Sequence, residues 1–375
     1  MIKSDMTIHE TADSTALHGG SLYRVINNLP TGTVTLLDQN QAIQVPASSV
    51  WPITVPHAAP LPVKTYGTKV VLAFDDSSTA QYLAHVKESI SILSPLSFFV
   101  TSSSGSMQGS VSPSLITAAK ENSVQVWPIV ESGFHPNQTT SLLESPQANW
   151  NLVSAIINAV QSDHLDGINL DFEDMIPSDT ARLTRLVDAL SLLLHAMGKG
   201  LSVDVTPPSS DPNWGIVYDR KAIAQAADYE VVMTYDEHYQ GDPVPGSTSS
   251  IPWMKQGIDN TVNLGVPKSK ILMGIPFYTL DWTYSSHAWN STYIGINQAL
   301  ADTLRQGATI TWNPADGQNV LHYTGSQEHT VWLENAVSLN ERGEFVVQSG
   351  VAGVGIWQLG LGQPSDLSNL LKAFH

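Results

Sequence analysis

From residue 65 onward, short apolar runs alternate with longer stretches of helical period, and that order predicts a parallel α/β architecture. Eight runs read as buried strands: 70–74, 96–100, 124–130, 167–172, 201–205, 230–235, 271–277 and 354–359. Between them lie amphipathic stretches that predict helices, among them 147–162, 178–196, 220–227 and 251–263. Eight strand–helix alternations over about 300 residues fit a (β/α)8 TIM barrel. A doubly wound open sheet is the competing architecture, but the Gly-rich phosphate turn that accompanies its first strand is missing. The excess length falls between the seventh and eighth strands. Residues 283–349 hold a helical segment (297–305), β-like pieces (309–312 and 320–323) and an amphipathic stretch (330–339), an α+β insertion over the barrel's C-terminal face. Residues 1–64 differ in texture: β-like runs at 33–37 and 42–45 and a Pro-rich close at 56–62 predict a small β-rich extension. The domain reading is therefore 1–64, then 65–375 with 283–349 inserted.

One strand breaks the apolar pattern. In Asp166-Gly167-Ile168-Asn169-Leu170-Asp171-Phe172-Glu173, side chains alternate between faces, so Asn169, Asp171 and Glu173 share one and Ile168, Leu170 and Phe172 the other. In a barrel the polar set points inward, its members about 6.6 Å apart along the strand. Two carboxyls so close in a confined site cannot both ionise cheaply, which raises a pKa. Glu173, nearest the mouth, is the natural proton donor and Asp171 the orienting anion beneath it. As plain core polar groups, three such residues on a buried strand would be costly.

Composition narrows the partners. Of 375 residues 42% are apolar, enough for a large core, and only 14% are charged. The net charge of −17 removes the basic footprint that nucleic acid needs. No apolar run reaches the roughly 20 residues of a bilayer span, so no membrane span is expected. The absence of cysteine excludes disulfides and thiol chemistry. The twelve histidines show no metal spacing, and neither metal nor cofactor is expected. Few lysines and glutamates suit an extracellular, cell-wall or spore-surface protein, although no signal peptide is visible behind Met1-Ile2-Lys3-Ser4-Asp5.

The string around Glu173 resembles the family-18 glycoside hydrolase signature Asp-Gly-x-Asp-x-Asp-x-Glu, with Asn169 where most members carry the first inward Asp. The resemblance continues through Met233-Thr234-Tyr235-Asp236, Gly274-Ile275-Pro276-Phe277-Tyr278, Val331-Trp332-Leu333-Glu334-Asn335 with Ser338, and Gly353-Val354-Gly355-Ile356-Trp357. It covers about residues 66–375 in order and is most similar to the bacterial spore and cell-wall peptidoglycan branch. It implies retaining, substrate-assisted hydrolysis of β-1,4 bonds at N-acetylglucosamine, in peptidoglycan first and chitin oligomers second. Carried over residue by residue, it makes Glu173, Asp171 and Tyr235 the catalytic candidates. Asn169, Asp236, Trp357 and Tyr278 become substrate-binding candidates. Asn169 could still hydrogen-bond Asp171 but cannot take up charge, which lowers the pressure on Asp171. The alternative is a catalytically idle sugar-binding or coat-structural protein on the same barrel.

Weaker signals remain. Seven of the ten tryptophans follow residue 200, and core packing is the better reading for each except Trp357; Trp214 and Trp282 are secondary subsite candidates. His238 could border the cleft. Asn137-Gln138-Thr139 and Asn290-Ser291-Thr292 fit the glycosylation acceptor pattern, which is common by chance.

Overall fold

Segments apolar on both faces can only be strands covered on both sides, and in the computed structural model they close on themselves. The structure describes residues 89–375 throughout and, before them, residues 1, 6–10, 13–17, 21, 23–29, 32–38, 41–51, 53, 55–76, 83, 85 and 86. At the start, β1 (Met6–Glu10) pairs with β2 (Asp13–Leu17). A separate antiparallel sheet follows, of β3 (Arg24–Leu29), β4 (Thr33–Asp38) and β5 (Gln41–Pro46).

The barrel begins with β6 (Val70–Asp75) and β7 (Ile92–Val100); β8 (Met107–Gly109) folds back antiparallel on β7. Its third member comes in two pieces, β9 (Gln125–Val126) and β10 (Ile129–Glu131), because Pro128 between them has no N–H to give the ladder. The remaining members are β11 (Gly167–Asp171), β12 (Gly200–Val205), β13 (Tyr229–Val232) and β14 (Ile271–Pro276). After β14 the chain forms β15 (Tyr278–Ser285), β16 (Ala288–Gly295), β17 (Thr309–Asn313), β18 (Gln318–Thr324) and β19 (Glu328–Leu333). The last barrel strand is β20 (Gly353–Trp357). Parallel pairing runs β6–β7–β10–β11–β12–β13–β14–β20 and back to β6, a closed (β/α)8 barrel.

The interior is filled from below by Val70, Leu72, Phe74, Ile92, Trp127, Ile129, Val231 and Leu272. Trp127 plugs the base: a Cβ at Gly200 would lie 2.0 Å from its ring, so two inward glycines, Gly167 and Gly200, make its room. A second, larger core lies between strands and helices, where Pro146–Ser162 buries Leu152, Val153, Ile156, Ile157 and Val160. Side chains start the helices: Ser145 accepts from Ala148 N–H, Ser250 from Trp253 N–H, and Asn335 closes a capping box with Ser338. Gly350, at φ 74°, ends Ala336–Ser349 in the left-handed conformation that glycine adopts without penalty.

The antiparallel sheet, ordered β16-β15-β19-β18-β17, spans Tyr278–Leu333 and packs on the helix Ile296–Asp302. The segment 283–349 thus takes in most of this sheet together with the helix Ala336–Ser349. Among the described residues no helix is long and apolar enough to cross a membrane.

Candidate active site

Alternation along β11 puts Asn169 and Asp171 inside the barrel, with Glu173 just past the strand's end. Asn169 is fully buried; its amide nitrogen donates to Ser202 Oγ (2.9 Å) and to Asp204 Oδ1 (2.8 Å), both on β12. It therefore holds neither Asp171, as the sequence suggested, nor any exposed surface for a ligand. Asp171 is also buried, level with Glu131 on β10. Burial first, then the Glu131 charge, pushes the Asp171 carboxyl up to about 7, against a hydrogen bond with Glu173 that lowers it. The Glu173 carboxyl is raised well above its ordinary value by desolvation and by the charges of Asp171, Asp204, Asp236 and Glu131. The expectation that one carboxyl would be lifted is thus exceeded: Asp171 is raised as well. The pressure that Asn169 removes from Asp171 comes back from Glu131.

Tyr235 and Asp236 follow β13, which ends at Val232 and not at 235 as its sequence suggested. The turn bends the backbone through the left-handed region at Asp236 (φ 57°), and Asp174 beside Glu173 does the same (φ 46°). Such non-glycine positions cost free energy and cluster where side chains must be aimed. Tyr235 packs edge-on against Tyr278, which packs against Tyr293, at centroid distances of 6.1 and 5.4 Å. Asp236 accepts from the hydroxyls of Tyr278 (2.7 Å) and Tyr293 (3.3 Å). Asp236, Tyr278 and Tyr293, with Ile294, Gly295, Leu361 and Trp357, line a cavity of about 310 Å³ at the barrel mouth. Trp357 ends β20, its ring against Phe74 at 5.2 Å.

The other sequence candidates divide. Trp282 is fully buried, its Nε1 donating to the Gly246 carbonyl, so it cannot be a subsite. Trp214 lies beside Phe134, a half-exposed ring after β10, at 6.0 Å. His238 is held by Asp242 at 2.9 Å. Sequence reasoning missed Glu131, Asp204, Phe134 and Tyr293. A signal existed for two: Ser202 and Asp204 alternate inward in 201–205 as Asn169 and Asp171 do, and Glu131 directly follows an apolar run. Among the described residues no cluster of three or more His, Asp or Glu could hold a metal ion.

The arrangement can hold a proton at the mouth, on Glu173, above a carboxyl that can meet developing positive charge, beside an aromatic floor. Comparison with known proteins gives the same direction. Residues 67–362 match the family described as "Glycosyl hydrolases family 18". The chain is 27% identical over 274 residues to the uncharacterised glycosylase YvbX of Bacillus subtilis, covering 70% of this chain and 78% of that protein. It is 26% identical over 244 residues to the cortical fragment-lytic enzyme of the same organism, covering 62% of this chain and 56% of that longer protein. In fold it is similar to the spore cortex-lytic enzyme SleL of Bacillus cereus, with a TM-score of 0.75 at 20% identity over 84% of this chain and 76% of that one.

Proposed function

Because the chain belongs to glycosyl hydrolases family 18 and is by that membership a glycosidase, we propose that it cleaves β-1,4 bonds at N-acetylglucosamine, with retention and with help from the substrate. Peptidoglycan of the cell wall or spore cortex is the first substrate and chitin oligomers the second. The place of action is extracellular, at the wall or spore surface, in keeping with the names of its relatives.

The observation that carries this reading is Glu173, a carboxyl at the mouth surrounded by four others and kept protonated by burial and their charges. A group in that state donates a proton at neutral pH. Glu173 delivers it to the glycosidic oxygen while the acetamido oxygen of the bound sugar attacks its own anomeric carbon. The positive charge that appears on the acetamido nitrogen is met by Asp171. Tyr235 donates to the acetamido group, and Asp236 with Tyr278 orients the ring over Trp357. Glu173, now ionised, takes a proton from the water that opens the intermediate, and the configuration is retained. With a chain charge of −17, an acidic polymer is recognised by shape and hydrogen bonding inside the cleft rather than by long-range attraction.

Glu173→Gln should lower kcat/KM by about 10²–10⁴-fold on an N-acetylglucosamine oligomer or purified cortex glycan, with binding retained. Deacetylated glycan should resist cleavage, because the attacking oxygen is gone. Full turnover by the variant, or equal cleavage of deacetylated chains, would refute the mechanism. A sugar-binding protein on this barrel would instead retain glycan without releasing reducing ends.

A further inference from the structure

The carboxyls of the site form a row across neighbouring strands. Glu131 on β10 is paired in register with Asp171 on β11. On the other side the β11–β12 ladder pairs Asn169 with Ser202 and Leu170 with Val203, and the next step sets Asp171 beside Asp204. Adjacent strands are about 4.8 Å apart, so three carboxyls lie side by side at one level with Glu173 above them. Asp204 is almost wholly buried.

Among the described residues no cation acts on Asp171, Glu173 or Asp204. Arg220, the cation packed near the end of β12, gives its guanidinium to the carbonyls of Thr206, Gly215 and Tyr218, and its charge acts on Glu230 and Tyr218. The carboxyls do not converge as metal ligands would. Two buried oxygens, Asn169 Oδ1 and Asp171 Oδ1, have no hydrogen-bond partner. Acceptors left without donors in a buried cluster of acids call for protons on the acids themselves. The groups that act on Asp204 or feel its charge are Asn169, Asp171 and Glu173 from β11, Tyr235 beyond β13 and Tyr218 from the segment after β12; Glu131 and Asp236 act on Glu173, and Arg220 acts on Tyr218.

We propose that Asp204 is a positioning residue for the general acid: a buried carboxyl on the strand next to Asp171, tied to Asn169, that fixes how many protons the cluster holds and so sets the upper end of the pH range over which Glu173 keeps its own. The role follows from charge. When Asp204 ionises at high pH, its negative charge opposes ionisation of Glu173 and keeps the donor loaded. Burial and the Asp171 charge hold the Asp204 proton on well above the usual carboxylate range, and the Asp204 charge in turn raises Glu173, so Asp204 ionises before the donor does. Asn169, neutral and donating to Asp204, anchors the carboxyl without adding a charge of its own.

This inference rests on the proposed hydrolytic reading, and its test separates the two. In Asp204→Asn, the alkaline limb of the kcat/KM profile on an N-acetylglucosamine oligomer should move down by about one pH unit, with KM and the acid limb in place. The double variant Asn169→Asp/Asp204→Asn, which moves the carboxyl one strand over, should bring the limb back. Ser202→Ala, which removes the other acceptor of Asn169 but no charge, should leave it where it is. An unmoved alkaline limb in Asp204→Asn, or the same displacement in Ser202→Ala, overturns the proposal. Carboxyl ¹³C titration of the unsubstituted protein gives a second reading that needs neither a folded variant nor catalysis. An Asp204 resonance that titrates above pH 6 supports the role, and one that titrates below pH 5 overturns it. If no glycan is cleaved under any condition the hydrolytic reading fails, while the ¹³C titration still decides the state of Asp204.

Discussion

At the scale of single residues, the site is governed by what a carboxyl does when water is withdrawn. Asp171 and Glu173 both hold protons longer than an exposed acid, and the two are coupled, so their titrations belong to the pair. The signs are opposite in function. Asp171 must be an anion to meet positive charge, so the rate falls as pH drops through its raised value. Glu173 must be protonated, so the rate falls as pH rises through its own. The kcat/KM profile should therefore be bell-shaped, with an acid limb above the ordinary carboxylate range of about 4; a limb at 4 in a pH-rate series would contradict it. Trp357 offers a different handle. It supplies area, not charge, so Trp357→Ala should raise KM by about tenfold with a smaller change in kcat and no movement of either limb.

At the scale of elements, the antiparallel sheet is clamped to the barrel by a buried ion pair. Arg342, on the helix Ala336–Ser349, donates through Nε to Glu334 Oε2 at 2.9 Å and through Nη2 to both Glu334 Oε1 and the Ser249 carbonyl. Gln318 on β18 donates to the same Glu334 (2.7 Å) and accepts from Ser247. One guanidinium thus joins the sheet, the helix after it and the loop after β13. Removing one member of a buried pair strands the other charge, so Arg342→Met should cost about 3–5 kcal/mol in chemical denaturation. Changing both partners to apolar residues of similar size should cost much less. If the single change costs under 1 kcal/mol, the pair is not the clamp described.

At the scale of the whole molecule, the buried acids set how stability depends on pH. Asp171, Glu173, Asp204 and Glu230 (pushed up to about 8 by burial) all hold protons in the folded chain that the unfolded chain releases near pH 4. Above that pH the folded form carries more protons than the unfolded, so stability declines as pH climbs through the folded values. Each unit of upward shift costs about 1.4 kcal/mol once the group is ionised. The net charge of −17 adds repulsion of the same sign. Tm measured by calorimetry should be higher at pH 5 than at pH 8; equal or reversed values would mean that these carboxyls are hydrated.

Strand number, strand order and the inward face of β11 were legible in the sequence, because period-two alternation and apolar runs are local consequences of how a strand exposes its side chains. Asn169, Asp171 and Glu173 could be assigned to one face from spacing alone. What the sequence could not fix was which residues of other strands stand beside them. Asp204 and Glu131 sit 33 and 40 residues from Asp171 along the chain, and only closure of the barrel and its register make them neighbours. The same holds for Tyr293, brought to Asp236 by an antiparallel turn; Trp282, for which core packing was the better reading of the sequence, is indeed sealed in the interior. Local pattern determines where a side chain points relative to its own backbone. Which charges share a desolvated space, and therefore which protons stay, is decided by contacts between distant segments, and those exist only once the chain has folded.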